Sequence, residues 1–520
     1  MSIGLEPPPG GPPPSVPPEV PGPFGAPVPP SEEAATLRAD TLNLFDSTAV
    51  AVSSVAPAYS LAATLTLLFA AVALAGPAVV IVSFVPVLFI AIAYFHLNRR
   101  DPDCGASYSW LSKLIHPAVG WFNGWVQIAA GILFCVSAPV LAGTNTLAFM
   151  HSVGWISAST AGSAWLTAVI GGLWLALITF ICVYGIRWTT NFQWVMVIIE
   201  YVAVIGFSIW GVVKVIVKHP AHSQSFHLSW VNPLSIHGYE GLAGGAVLAV
   251  FLFWGWDTAA NLNEESKNAT KTPGHAGMIA MVLLLVIFVL NIIAVQMLIP
   301  ASEISNQGSN ILFYYGQQVG GNWVGYIMII AVLSSTVGTT QTTLLPSARI
   351  SLSMARDRVF PKLFGSIQGK FQTPALGTVV LAFISLFGIL LTTGSSSVNH
   401  VFGNLINNIG VLIAFYYGVT GLACAWAYRR VAFVKGSFFL TGILFPLLGG
   451  AFLLWVGYQV VKQAGWGPSA PVLITFALGI PLVIVARYTT TGDFFKTRVI
   501  AYTSIEDDDP VEPEPEGATP

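Results

Sequence analysis

The sequence predicts an all-α integral membrane protein with twelve transmembrane helices. Three observations lead there. Hydrophobic residues make up 54% of the 520 positions and charged ones only 8%, against about 25% charged in a soluble domain. Apolar runs long enough to cross a bilayer recur along most of the chain. The Lys and Arg residues fall almost entirely on alternate connecting segments. So few charges cannot cover a soluble protein of this length, which excludes a cytosolic enzyme and a disulfide-built secreted domain. A formal net charge of −2 offers no basic surface to DNA or RNA. Cys104, Cys135, Cys182 and Cys424 lie far apart, without ligand spacing, and read as small apolar residues.

Taken in order, the chain opens on a proline-rich segment, residues 1–38. Its first thirty residues hold thirteen prolines and lack the basic and apolar regions of a signal peptide, so a disordered polyproline-type tail is expected. Residues 491–520 are an acidic, proline-rich tail of the same kind. Between them lies a twelve-helix membrane domain, residues 39–490. A helix needs about 20 apolar residues to cross about 30 Å of hydrocarbon. Twelve runs meet this, near 46–70, 76–98, 117–146, 160–184, 191–217, 241–263, 275–299, 321–346, 374–393, 401–428, 437–461 and 470–487. The alternating ten-residue segments of an outer-membrane barrel are absent.

Orientation follows from the basic residues. With both termini in the cytoplasm, eighteen of the 21 Lys and Arg lie on the inner side. Only Lys214, Lys218 and Lys462 fall outside. A miscount of one helix would scramble this asymmetry, so it supports the count as well as the direction.

Two spans carry helix breakers at depth. The first holds Ser53, Ser54, Val55, Ala56, Pro57, Ala58, Tyr59 and Ser60, where Pro57 removes a donor and clashes with the preceding turn. The sixth holds Phe251, Leu252, Phe253, Trp254, Gly255, Trp256, Asp257 and Thr258, where Gly255 is free to adopt unusual dihedrals. Each alone reads equally as a proline kink or a packing glycine. Together, at matching places in two halves, they point to an inverted-repeat transporter with a midplane site. Spans one to five (46–217) and six to ten (241–428) form the repeats, and 437–487 adds two helices. Half-helix amides would receive a carboxylate and free carbonyls an amine, which suits a zwitterionic amino acid.

Two acids lie deep. Glu200 is about ten residues, or about 15 Å, into span five, and Asp257 follows the span-six break. An ionised carboxylate there costs on the order of 2.5–3.5 kcal/mol on insertion scales, which makes both functional candidates. A structural carboxyl for Glu200 and a local helix cap for Asp257 remain open. Ser334, Ser335, Thr336, Thr339 and Thr340 in span eight suit either sodium ligation or close helix packing. Asn404, Asn407 and Asn408 in span ten, and Trp125 and Gln127 in span three, are further wall candidates. Glu264 and Glu265 beside Lys267 and Lys271 form a gate network or a solvated loop. His219, His222, His227 and His237 read as solvated, not as a zinc site. No nucleotide-binding loop, GxSxG elbow or potassium filter is present.

Three ordered stretches carry a family likeness. Arg99 to Trp110 with Pro117 and Gly120 to Trp125 matches an "rr-P-x-x-G-x-x-Y" loop and a "G-x-x-x-G-W" entry to span three. Trp254 to Pro273 (WGWDTAANLNEESKNATKTP) is similar to a "GFE…EE-x-k-n-P" run. Ser347 to Asp357, Phe360-Pro361 and Thr373-Pro374-Ala375 match an "SR…ymAR-D-x-x-lP…TP" loop. In these the chain resembles the amino acid–polyamine–organocation superfamily, bacterial amino acid permeases in particular. The likeness spans about residues 40 to 490.

The resemblance implies a five-plus-five inverted-repeat (LeuT-like) core with two extra helices. It implies alternating access in a secondary active transporter of an amino acid or related amine, embedded as a multi-pass protein in the cytoplasmic membrane. Asp257 occupies the place of the family's span-six acid and Phe251 that of its aromatic lid, with Phe253 and Trp254 as further lid candidates. The span-one glycine-rich motif is replaced by Ser53-Ser54-Val55-Ala56-Pro57, so hydroxyls of Ser53, Ser54 and Tyr59 would assist the amides near Ala56, Pro57 and Gly255. An amine without a carboxylate gains weight from that replacement. Glu200 stands where some proton-coupled members carry a lysine. Glu200, Asp257, Ser334 and Ser335 are therefore the expected coupling residues, with proton symport expected ahead of sodium coupling or exchange. No catalytic or metal residue and no cofactor is expected. Other readings are a polyamine or organic-amine carrier or exchanger and, from another class, a transceptor sensing nutrients through its tails.

Overall fold

The structure, a computed structural model, describes residues 37–502 except 185, 394–397, 432–435, 491, 498 and 501. The described residues form helices and turns, with only two isolated β-bridges. The helices are α1 (Leu44–Val55), α2 (Pro57–Val72), α3 (Gly76–Arg100), α4 (Ser107–Leu114), α5 (Pro117–Ser152), α6 (Ala158–Ala161), α7 (Ala164–Val183) and α8 (Ile186–Lys218). They continue as α9 (Gly238–Leu252), α10 (Thr258–Asn261), α11 (Thr272–Leu298), α12 (Ala301–Asn306), α13 (Ile311–Gly320), α14 (Asn322–Arg356) and α15 (Ala375–Thr392). The last four are α16 (Val398–Ala427), α17 (Gly436–Phe438), α18 (Phe445–Ala464) and α19 (Ala470–Thr489). Of the expected tails, 1–38 and 491–520, residues 1–36 and 503–520 lie outside the described residues.

Among the described residues, ten helical stretches are long and apolar enough to cross a membrane. The longest, Leu44–Arg100, holds the first two expected spans, and the sixth is carried by the shorter apolar helix α9 and its continuation. A helix thus stands at each expected span. Two boundaries differ. Span eight runs on through the Ser347–Arg356 motif as part of α14, and Tyr108 to Trp110 lies in a helix, α4. Both motifs read as loops because of their charges, yet those charges are paired at the membrane face, as described below.

Local chemistry sets the starts. Asn43 accepts from the Asp46 N–H at 3.0 Å while the Asn43 N–H donates to Asp46 at 3.2 Å, a reciprocal cap for α1. His116 Nδ1 caps α5 ahead of Pro117. The buried centre is built from α1, α2, α5, α9, α14 and α16. α1 packs on α8, α11 and α14, α2 on α9 and α14, and α5 on α14 and α16. α7, α15 and α19 expose large apolar side chains such as Leu173, Phe387 and Ile484, as lipid-facing helices do. The last two spans contact the rest mainly through α16 and α3, with α19 against α5.

Candidate functional site

Two interruptions meet at the centre of the helix packing. In the first span the helix continues through Ser53, Ser54 and Val55 and breaks only at Ala56, whose φ of 49° and ψ of 74° are left-handed. A residue before proline is driven out of the right-handed helical region, and Pro57 then starts α2 at a position where no N–H is needed. In the sixth span α9 continues through Phe251 and Leu252. The irregular stretch is 253–257, with Gly255 at φ 115°, a region open to glycine.

The two breaks touch. Ser54 Oγ and Thr258 Oγ1 share a hydrogen bond of 2.9 Å. A Cβ on Gly255 would lie 2.6 Å from Ser54 Oγ and 2.8 Å from the Ser54 carbonyl carbon. Thr339 of α14 donates to the Ser54 carbonyl at 2.6 Å, so a carbonyl freed at the break is satisfied by span eight.

Glu200 reaches this junction from α8 and is 1% exposed. Its Oε1 accepts from the Ala58 N–H and from Ser335 Oγ, both at 2.7 Å. Ser335 Oγ accepts from the Tyr59 N–H at 2.9 Å. The carboxyl therefore sits at the positive end of a half-helix, where a negative group is favoured. Ser334 behaves differently, donating to Ala331 of its own helix, as Thr336 and Thr340 donate to Val332 and Thr336.

Asp257 is 7% exposed and is held by α16. Tyr417 donates to its Oδ1 at 2.8 Å and Tyr416 to its Oδ2 at 3.1 Å. Trp254 Nε1 donates to the Tyr416 hydroxyl at 2.5 Å. Asp257, Trp254, Gly255, Ser54, Gln127 and Tyr416 line a central cavity of about 30 Å3, room for a water or two. A second, wider cavity of about 420 Å3 lies towards the Asn404 end of α16, lined by Val247, Asn404, Asn407, Asn408 and Gln463. Along α9, Phe251 stands one turn past Val247 and three residues before Trp254. Its ring centroid lies 6.4 Å from Tyr59, 6.2 Å from Phe134 and 6.3 Å from Trp254.

Phe253 does not join these rings. It packs 5.6 Å from Phe84 and 5.5 Å from Phe288, because the turn at 253–257 points it into α3 and α11. Ser53 turns its hydroxyl towards α14, into the space beside Gly338. Trp125 donates to the Thr475 carbonyl at 2.9 Å, serving α19 rather than the cavity. Asn408 is a fastener as well, donating to the Asn404 and Pro468 carbonyls and accepting from the Val472 N–H.

At the C-terminal end of α14 the charges are paired. Arg349 Nε meets Glu265 Oε2 at 2.7 Å with both side chains 1% exposed, and Arg356 meets Glu264 at 3.0 Å. These partners come from α14, in place of the expected Lys267 and Lys271. The 41–42 backbone joins in, both N–H groups donating to the Glu265 carbonyl and the Leu42 carbonyl accepting from Lys267. Asp103 Oδ1 gathers Gly105 N–H, Ser109 and Ser353, and Tyr108 donates to Asp357 at 2.6 Å. Burial pushes the Asp101 carboxyl up from its ordinary value, opposed by Lys113 at 2.6 Å, and burial likewise pushes up Asp357.

Sequence reading missed Tyr416, Tyr417, Phe134 and Arg349. The tyrosine doublet carried a usable signal: phenols deep in an apolar span need a hydrogen-bond partner, and Asp257 lacked one.

Comparison with known proteins agrees with this architecture. A family model described as amino acid permease matches residues 42–503. The low-affinity putrescine importer of Escherichia coli strain K12 is 25% identical over 350 residues, covering 64% of this chain and 70% of that protein. The branched-chain amino acid permease of Lactococcus lactis is 23% identical over 421 residues, 78% of this chain and 88% of its own length. The methylthioribose transporter of Bacillus subtilis is 24% identical over 402 residues, 74% and 81%.

Proposed function

The chain belongs to the amino acid permease family, and from that premise we propose that it imports an amino acid or related amine across the cytoplasmic membrane by proton-coupled alternating access. The observation that carries the proposal is the meeting of two helix breaks, one near each acid, at a buried centre. In this mechanism the solute enters through the asparagine-lined vestibule, passes Phe251 and settles between Ala56 and the 254–257 turn. Asp257 and the Tyr416 hydroxyl receive its ammonium. Closure of α2 and α9 over it excludes water, and separation of Glu265 from Arg349 and of Glu264 from Arg356 opens the other face. Both termini are cytoplasmic in this reading, following the basic-residue bias, and the charged closure is then the inner gate.

Glu200 is the proposed proton carrier. It occupies the junction of spans one, five and eight, where its protonation state acts on the half-helix that must move. Protonation weakens its charge-assisted bond to the Ala58 N–H. The buried carboxyl at this junction, a group that can take up and release a proton, favours a proton over sodium. Uptake of radiolabelled amines and amino acids into proteoliposomes tests the reading. Saturable, competable uptake by at least one of them is expected. Its absence across both solute classes contradicts it.

A further inference from the structure

The first break leaves no amide for a solute. A half-helix N-terminus normally presents N–H groups without intrahelical partners, a ready-made anion site. At α2 each is accounted for. Pro57 has no N–H. The Ala58 N–H donates to Glu200 Oε1, the Tyr59 N–H to Ser335 Oγ, and the Ser60 N–H to the Ala56 carbonyl at 2.9 Å. The Ala56 N–H is spent on the Val52 carbonyl at 3.2 Å. The protein thus places its own carboxyl, 142 residues away in sequence, on the donors that a solute carboxylate would require. A carboxyl oxygen stays available to the Ala58 N–H in the ionised and in the protonated acid, the bond being weaker in the latter, so the block is relaxed by protonation without the site losing its acceptor.

The facing break makes the opposite demand. Asp257 brings a second buried carboxyl, and no Lys or Arg lines the central cavity among the described residues. The Tyr416 hydroxyl and the Trp254 ring border it, groups that suit an ammonium through a hydrogen bond and through the ring face. A carboxylate brought here meets like charge and no free backbone donor at α2. An ammonium meets complementary charge.

Within the transport reading above, on which this rests, we propose that Glu200 is the residue that excludes carboxylate-bearing solutes. The solute is then an amine lacking an α-carboxylate, received by Asp257, and Glu200 acts as a specificity determinant as well as the proposed proton carrier.

Matched pairs test this: lysine with cadaverine, ornithine with putrescine, and leucine with isopentylamine. They are assayed as competitors of labelled amine uptake and as stabilisers of the purified protein. Wild type is expected to prefer the amine of at least one pair by tenfold or more. Glu200→Ala frees the Ala58 N–H and is expected to narrow that preference at least tenfold by improving the carboxylated member. Glu200→Gln retains an acceptor oxygen and is expected to keep the preference while losing pH-driven accumulation. Saturable uptake in which wild type prefers the carboxylated members overturns the inference and leaves the transport reading standing. A preference unchanged in folded Glu200→Ala also overturns it. Absence of saturable uptake of every amine and amino acid overturns the transport reading and the inference together. If Glu200→Ala does not fold, the wild-type pair comparison decides alone.

Discussion

Ser54 and Thr258 share a 2.9 Å hydrogen bond across 204 residues of sequence, and it ties the interruption of the first span to that of the sixth. Neither element is continuous there, so each has backbone groups to satisfy inside the membrane, where an unsatisfied group costs several kcal/mol. Each lends the other part of the solution, with Thr339 of α14 completing it.

Gly255→Ala tests the tightness of that junction. The new Cβ would lie 2.6–2.9 Å from Ser54 atoms, two of them backbone, at a φ of 115°. Strain of this kind is of order 1–3 kcal/mol. Uptake is expected to fall at least tenfold and the melting temperature of the purified protein to drop. Wild-type uptake and melting in this variant would show that the breaks are not in contact.

Asp257→Asn separates charge from shape. The amide fits the same space but removes the anion. Binding of an amine, read by thermal stabilisation or competition, is expected to weaken at least tenfold. Tyr417→Phe removes one donor to Asp257, worth about 1.5–3 kcal/mol for a charged acceptor, and is expected to weaken binding less than Asp257→Asn.

Phe251 and Phe253 make a matched contrast. Phe251→Ala is expected to weaken apparent solute affinity, since the proposed path from vestibule to cavity runs past its ring. Phe253→Ala removes a ring buried against Phe84 and Phe288. It is expected to cost about 3–5 kcal/mol of stability with apparent affinity unchanged in the protein that folds. A reversed pattern would remove the lid assignment.

The contrast also marks how far sequence reaches here. Pro57 announced the first break because proline's missing donor is a local property, and Gly255 announced the second for the same kind of reason. Which flanking side chains face the solute was not legible. Helical periodicity assigns faces only while a helix continues, and it stops at 253, so Phe253 stood as a further lid candidate beside Phe251. Glu200 and Asp257 stood out because charge is rare at that depth. Their partners did not, since Ala58, Ser335, Tyr416 and Tyr417 lie 135 to 160 residues away. At the charged face, Glu265 was read beside its sequence neighbours Lys267 and Lys271, whereas α14 delivers Arg349.

The Glu265–Arg349 pair supplies a stability prediction. Arg349→Met leaves a buried carboxylate unpaired and is expected to cost about 3–5 kcal/mol. Adding Glu265→Leu is expected to restore much of the lost melting temperature. The pair meets through a single 2.7 Å contact, and Glu265 Oε1 and Arg349 Nη2 have no hydrogen-bond partner among the described residues. The double variant is therefore expected to fold yet to show altered transport, having lost the latch.

Coupling has its own test. Acid outside should drive wild-type proteoliposomes to accumulate solute above equilibrium, and a protonophore should abolish the excess. Glu200→Gln is expected to equilibrate solute without accumulating it. Accumulation in that variant equal to wild type would remove Glu200 as the proton carrier.

The most direct measurement is a structure determined with a transported amine bound. The solute is predicted between Ala56 and the 254–257 turn, with its ammonium within hydrogen-bond reach of Asp257 and Glu200 still on the Ala58 N–H. Density for the solute only in the vestibule beside Asn404 and Asn407, or a first span wound continuously through Ala56, would contradict the account.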